Sequence, residues 1–258
     1  MKYVRIKKRN ELQGTKMIDI KNKIHCRCKF GQYYVKLTKR QKVYLKFKFI
    51  ADIIISALAL IILSPLLLLI CILQKIDCPH EPIFFVQKRV GLNGKAYNLV
   101  KFRTLKSSAP KNVATADLTN PDEYTTRFSR FLRRSSIDEL PQLLMVCGTF
   151  KMSLVGPRPL VYTEREIRFL RHWYGIYQVR PGITGWAQVN GRDTVSTYDK
   201  VRYDREYLQK MSLWFDLKIL WKSVFVVLSR AGVVDGQVDE KAENSEISNE
   251  LVTANDEK

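Results

Sequence analysis

The chain has 258 residues, 46% hydrophobic and 11% aromatic, with only 12 Gly and 9 Pro. This excludes a wholly disordered chain and the collagen-like and low-complexity classes, and leaves ample length for a real core. Its 44 Lys and Arg against 25 Asp and Glu give a formal net charge of +19, which calls for an anionic partner: nucleic acid, anionic lipid or a polyphosphate substrate.

The charge is unevenly placed. Residues 1–48 hold 16 Lys and Arg against 2 Asp and Glu, whereas residues 235–258 hold 2 against 8. A strongly basic arm, a moderately basic body and an acidic tail do not read as one nucleic-acid-binding surface. No helix-turn-helix, zinc-finger or RNA-binding signature is present either, so no nucleic acid is expected as partner. The five cysteines, Cys26, Cys28, Cys71, Cys78 and Cys147, lack regular spacing, which argues for a reducing compartment over a disulfide framework. His25, Cys26 and Cys28 lie close together, but no second ligand pair follows to complete a zinc site.

Within the basic arm, residues 33–44 have no firm assignment. Ile50–Leu73 is the most hydrophobic stretch, broken only by Asp52, Ser56 and Ser64-Pro65. At about 1.5 Å per residue it reaches about 36 Å, enough to cross a hydrocarbon core of about 30 Å. Six basic residues between Lys36 and Lys48 place its N-terminal flank on the cytoplasmic side. Pro65 removes a backbone donor in mid-segment, so a kink is expected, and Ser64 can bond back to a carbonyl one turn earlier. Hydropathy does not separate a kinked span from a helix that enters and leaves by one face.

Pro82–Thr104 reads as a β-hairpin, with Ile83–Val86 and Tyr97–Val100 as strands and Asn93-Gly94 as the turn. Period-2 alternation sets Tyr97, Leu99, Lys101 and Arg103 on one face, where two cations could meet an anion. Residues 106–126 read as a loop. Arg127–Arg134 is a short basic helix, and Ser136-Ile137-Asp138-Glu139 fits a capping box opening the next helix. Adjacent acids at a helix start beside many arginines also fit a Mg²⁺–phosphate site, because Mg²⁺ uses one or two carboxylates plus substrate phosphates. Two rigid strings come next. In Gly156-Pro157-Arg158-Pro159 the prolines fix the backbone around an arginine suited to a phosphate or carboxylate. Arg180–Arg192 reads as a tight functional loop. Leu213–Leu228 carries a full 3.6-residue apolar period and suits either core packing or the membrane surface, with its two tryptophans at headgroup level. The acidic tail after Val234 reads as disordered.

From about Lys46 to Gly232 the sequence resembles the bacterial sugar transferase family, the monotopic phosphoglycosyl transferases. The resemblance rests on Ser64-Pro65, Phe84-Phe85-Val86-Gln87, Lys101-Phe102-Arg103-Thr104, Ser136–Leu143, Met152–Pro159 and Arg180–Arg192, in one order. It implies an α+β fold: a small cytosolic catalytic domain with a β-hairpin and surface amphipathic helices, anchored by one membrane helix that is re-entrant at Ser64-Pro65. The division would be a basic arm at 1–45, the re-entrant helix at 46–75, the catalytic domain at 76–232 and the tail at 233–258.

The resemblance further implies that a sugar 1-phosphate moves from a UDP-sugar to polyprenyl (undecaprenyl) phosphate at the cytoplasmic face of the bacterial cell membrane, releasing UMP. Such a step starts exopolysaccharide, capsule or other glycoconjugate synthesis. Asp138 would be the nucleophile, forming an aspartyl phosphosugar intermediate. Glu139 would assist it, and the pair would hold Mg²⁺. Lys101, Arg133 and Arg158 match phosphate- and nucleotide-binding positions, with Arg103 a weaker candidate. The arm is longer than in the smallest members and is expected to bind anionic membrane lipid. Further copies of the chain, or glycosyltransferases acting next, are the remaining candidate partners. The competing reading is a non-catalytic membrane-tethered scaffold of a polysaccharide assembly complex.

Overall fold

A computed structural model of the chain describes residues 34–109, 121–191 and 195–229. The His25, Cys26 and Cys28 group, most of the basic arm, the middle of the 106–126 loop, Arg192 and the acidic tail lie outside the described residues. The folded unit begins at Val35. The described cysteines, Cys71, Cys78 and Cys147, form no disulfide.

Helix α1 spans Lys39–Asp77. It starts seven residues before the expected 46 because Thr38 and Gln41 form a capping box: the Thr38 hydroxyl accepts from the Gln41 amide, and Gln41 Oε1 accepts from the Thr38 amide at 2.9 Å. Gln41 Nε2 also donates to the Leu208 carbonyl at 2.7 Å, tying this start to the body. The helix continues through Pro65, and the Ser64 hydroxyl donates to the Ile61 carbonyl at 2.8 Å, as expected. One stripe of α1 is buried: Lys48, Asp52, Ser56, Ile70 and Gln74, at spacings of four residues and, between Ser56 and Ile70, of about four whole turns. Around it, Ile54, Leu58, Ile61, Ile62, Leu68, Leu69, Ile72 and Ile76 stand exposed. Among the described residues, α1 is the one helix long and apolar enough to cross a membrane.

Strands β1 (Phe84–Val90) and β2 (Ala96–Phe102) form the expected antiparallel hairpin, with Phe85 opposite Lys101 and Arg89 opposite Tyr97. Asn93 and Gly94 both take left-handed backbone in the connection. Helix α2 covers Arg127–Arg134, as its arginine spacing predicts, and its N-terminus is capped by the Thr126 hydroxyl. A 3₁₀ turn at Ile137–Gln142 leads into the short helix α3, Leu143–Cys147. Strand β3 (Ser153–Val155) pairs in parallel with β5 (Gly182–Thr184), and β4 (Leu160–Val161) adds to the outer edge of β1. Helix α4 (Arg165–Trp173) lies between β4 and β5 in the chain, and α5 (Trp186–Val189), α6 (Thr197–Lys210) and α7 (Leu213–Ser229) complete the order.

The β3–β5 pairing explains the glycines of the two rigid strings. A β-carbon at Gly182 would collide with the Gly156 amide, and one at Gly156 would collide with the Arg180 carbonyl. The Arg180–Arg192 string is therefore first a backbone-on-backbone contact. Arg180 itself stacks 4.2 Å over the Phe49 ring of α1 and donates to the Phe150 carbonyl at 3.0 Å.

The main core joins Leu160, Leu170, Val179 and Trp186 to Tyr207, Leu208 and Ile219, the last three essentially inaccessible. Helix α7 packs on the core with one face, as one of its two expected roles requires, and leaves an apolar face exposed. Ile219 and Asp216 face inward, whereas Trp214 (81% exposed) and Trp221 (67%) project outward with Leu217 and Phe225. Both halves of α1 are gripped by this body. Near its start, Lys48 pairs with Asp216 of α7 at 2.8 Å and with Asp52 at 3.3 Å, and Ser153 of β3 donates to Asp52 at 2.5 Å. Near its end, Ile70 packs with Phe102 and Leu132, and Gln74 Nε2 donates to the Arg103 carbonyl at 2.5 Å.

Candidate active site

The chain leaves α2 with Arg133 in the last turn and reverses on Ser136, whose φ of 57° lies in the left-handed region that non-glycine residues seldom occupy. This corrects the capping-box expectation at Ser136–Glu139. An N-cap needs extended backbone for its hydroxyl to reach the N–H groups ahead; at Ser136 the left-handed turn aims the residue elsewhere, and its side chain makes no cap bond. The next six residues form a 3₁₀ turn containing Pro141, not an α-helix. The Asp-Glu pair is therefore not a capping device. It sits on a strained reversal of the kind that clusters at functional sites.

That reversal turns Asp138 inward, 5% exposed, toward β2. Lys101 Nζ stands 3.9 Å from Asp138 Oδ2, an ion pair without a tight hydrogen bond. Burial, the largest influence, raises the Asp138 carboxyl against the pull of Lys101; Glu139 adds to the rise, Arg133 and Arg158 oppose it, and the balance stands at about 6. Burial likewise lowers the Lys101 ammonium, against the opposing pull of Asp138 and Glu139. Glu139 accepts from Arg158 Nη2 at 2.9 Å. A carboxylate near neutrality in a desolvated ring of cations is suited to nucleophilic or acid–base work on an anionic substrate.

The structure thus gathers Asp138, Glu139, Lys101, Arg133 and Arg158 around one turn. Arg103 is placed otherwise. It shares the Phe85 ring with Lys101, at 5.6 and 5.7 Å, but its guanidinium is taken up by the Pro82 carbonyl at 3.1 Å, the Ser107 hydroxyl and Glu81. The strand ends at Phe102, so the alternation that joined Arg103 to Lys101 stops before it. Ser64 and Pro65 lie within α1, exposed.

Arg89 of β1 is a cation the motif reading missed. It is largely buried, and its guanidinium is pushed down to about 10 by that burial and by the neighbouring charge of Arg158. Its register opposite Tyr97, two pairs along from Gln87–Leu99, was the available signal.

On the other side of Glu139 opens a cavity of ≈ 330 Å³. Leu140, Leu143, Leu154 and Ile183 line it together with Leu220 and Val227 of α7. At 100° per residue, Leu220 and Val227 border the outward face that carries Leu213, Leu217 and Val224, so the cavity flanks the exposed apolar side of α7.

Asp138 and Glu139 are the side chains that could hold a Mg²⁺ ion here. The Asp138 carboxyl is held up by desolvation, which a bound cation would relieve, and adjacent carboxylates are a usual Mg²⁺ donor set. Among the described residues no group of three or more His, Cys, Asp or Glu side chains gathers, so such an ion would share its coordination with substrate phosphates.

A sequence profile described as bacterial sugar transferase matches residues 43–230. The chain is 40% identical over 181 residues to the UDP-glucose:undecaprenyl-phosphate glucose-1-phosphate transferase of Escherichia coli K12, a match covering 67% of this chain and 38% of that protein. It is 36% identical over 194 residues to the exopolysaccharide production protein ExoY of Rhizobium meliloti, covering 69% of this chain and 84% of that one. It is 43% identical over 159 residues to the uncharacterized sugar transferase EpsL of Bacillus subtilis, covering 59% and 73%. The chain spans well under half of the E. coli protein's length and most of the two shorter relatives.

Proposed function

The chain belongs to the bacterial sugar transferase family, and on that premise we propose that it transfers a sugar 1-phosphate from a UDP-sugar to polyprenyl phosphate, releasing UMP. The observation that carries this reading is the buried Asp138 carboxylate within the field of Lys101, Arg133 and Arg158, in a body fastened along an apolar helix. The two substrates are those in the name of the E. coli relative.

In the first step an Asp138 oxygen attacks the sugar-bearing phosphorus. The Asp138–phosphorus bond forms, the bond to the bridging oxygen of the diphosphate breaks, and UMP leaves with the electron pair. In the second step a phosphate oxygen of the lipid attacks the same phosphorus, and the Asp138 carboxylate departs unchanged. Splitting the transfer in two replaces one hard displacement with two easier ones. Lys101, Arg133 and Arg158 offset the repulsion between a carboxylate and a diphosphate, most effectively in a site that excludes water. Glu139 keeps Arg158 facing the Asp138 turn. Mg²⁺, held by Asp138 and Glu139 when bound, would supply further positive charge to the donor phosphates.

The re-entrant reading of α1 draws support from its packing. One folded body holds Lys48 and Asp52 near the start of α1 and Ile70 and Gln74 near its end, which suits a helix that enters and leaves by one face better than one whose ends lie on opposite sides of a bilayer. The body would then lie on the cytoplasmic face, with Trp214 and Trp221 at the headgroups and the first isoprene units of the lipid entering the cavity beside Glu139. The basic residues before Val35 would hold anionic lipid, at up to about 1 kcal/mol each.

The test is a donor screen. Membranes carrying the protein are supplied with Mg²⁺, polyprenyl phosphate and a panel of UDP-sugars, and UMP is measured. One donor is expected to release UMP with the intact protein and none with Asp138→Asn. Undiminished release by Asp138→Asn would support a mechanism without this nucleophile.

A further inference from the structure

Arg158 is half exposed, yet the backbone beneath it is held by two arginines, Arg171 buried and Arg89 partly so. Arg171 of α4 donates from Nη1 to the Arg158 carbonyl at 2.6 Å. Arg89 of β1 donates from Nη1 to the next carbonyl, that of Pro159, at 3.1 Å. Both guanidiniums are themselves fixed. Arg171 Nη2 pairs with Asp204 of α6 at 2.6 Å, with side chains only 3% and 2% exposed, and Arg89 Nη2 donates to Gln87 Oε1 at 2.7 Å.

Stability alone gives little reason for this arrangement. A buried ion pair such as Arg171–Asp204 gains no more than a well-packed apolar pair of the same volume, because both charges lose their water. What the arginine provides and an apolar residue cannot is a forked donor whose second nitrogen reaches a backbone carbonyl. Pro157 and Pro159 lack the N–H groups by which a strand would pair on both sides of Arg158, and the Arg158 and Pro159 carbonyls take side-chain donors in place of a strand partner.

We propose that Arg171 and Arg89, with Asp204 as counter-charge, are positioning residues that lock the Arg158 peptide so that its guanidinium is presented beside Glu139 to the donor's phosphate. The proposal rests on the reading of Arg158 as a substrate-binding cation. The loop is thereby pre-organised: the donor meets an arginine whose backbone is already ordered, and binding carries a smaller entropy cost. Sequence alone hides the device, because its members stand on β1, α4 and α6.

The test is a cycle of variants. Arg171→Leu/Asp204→Leu removes both buried charges together, so neither is left unpaired, while the bond to the Arg158 carbonyl is lost. Arg89→Met removes the Pro159 bond at similar volume. Thermal midpoint, KM and kcat for the UDP-sugar, and UDP affinity by calorimetry are read for each. Both variants are expected to keep the thermal midpoint, to raise KM and weaken UDP binding about tenfold, and to change kcat little. In an Arg158→Ala background neither should cause further loss, since the clamp acts through that residue. Wild-type KM and UDP affinity in either folded variant, or losses that multiply with those of Arg158→Ala, would overturn the proposal. UDP affinity reads the clamp even if no UDP-sugar is turned over, a result that would instead count against the transferase reading. If the double variant fails to fold, Arg89→Met in the same cycle decides.

Discussion

Replacing Asp138 by Asn should make the protein more stable while abolishing its chemistry. The carboxyl is raised from 3.8 to about 6, chiefly by burial. With the folded value above the unfolded one, the group's favourable contribution is complete below pH 3.8 and is lost as pH rises through 6. At about 1.4 kcal/mol per unit, the ionised carboxylate costs the folded state about 3 kcal/mol at pH 8. Asn removes that cost but leaves Lys101 without its counter-charge, so the net gain should be nearer 1–2 kcal/mol, or roughly 3–6 °C in thermal midpoint. The assay is a thermal melt of detergent-solubilised wild type and Asp138→Asn between pH 4 and 8, with Mg²⁺ chelated. The variant should melt higher at pH 8, and the gap should close toward pH 4, where Asp138 is protonated. A variant that melts lower at pH 8, or a gap independent of pH, would refute the assignment of Asp138 as a desolvated, charge-costing nucleophile.

Turnover should fall on the acid side with an apparent pKa near 6, because protonation removes the attacking lone pair of Asp138; rates measured from pH 5 to 8 check this, and a flat profile would count against it. Lys101→Met should lower kcat/KM by about a hundredfold, or about 3 kcal/mol, as expected for a desolvated cation beside developing charge, whereas Arg103→Met should stay within about threefold. Single cysteines at Lys36 and His80, in a background lacking the native ones, should both label from the cytoplasmic side; labelling of His80→Cys only from the opposite side would make α1 a span. In a variant retaining only Trp214 and Trp221, both fluorophores should be quenched by lipids brominated near the headgroup, and unquenched emission would detach α7 from the membrane.

How far the sequence reveals this molecule depends on the range of the interaction concerned. Local signals read well. The arginine spacing marks α2, Asn93-Gly94 marks the hairpin, and the apolar period marks α7, because each is decided by neighbours in the chain. Capping motifs read unevenly. Thr38-x-x-Gln41 is a true box that extends α1 toward the N-terminus, while Ser136-x-x-Glu139 has the same form but sits on left-handed backbone that prevents it from acting. What separates the two is tertiary: Gln41 reaches the Leu208 carbonyl, whereas the Ser136 reversal delivers Asp138 to Lys101. The Lys101–Asp138 meeting itself arises from no local pattern, and only the family resemblance pointed to it. Arg89, Arg171 and Asp204 were hidden for the same reason. For Asp204 a clue existed: it shares a helical face with Val201, Tyr207 and Leu208, and an acid on an apolar face requires a buried partner.

The central claim is that Asp138 carries the sugar phosphate covalently. Intact-mass measurement after incubation with the correct UDP-sugar and Mg²⁺, without lipid acceptor, tests it most directly. The account predicts a gain equal to one sugar phosphate, mapped to Asp138 by peptide analysis, absent from Asp138→Asn and discharged on adding polyprenyl phosphate. UMP release with lipid present, but with no adduct on Asp138 at any time before the acceptor is added, would contradict it.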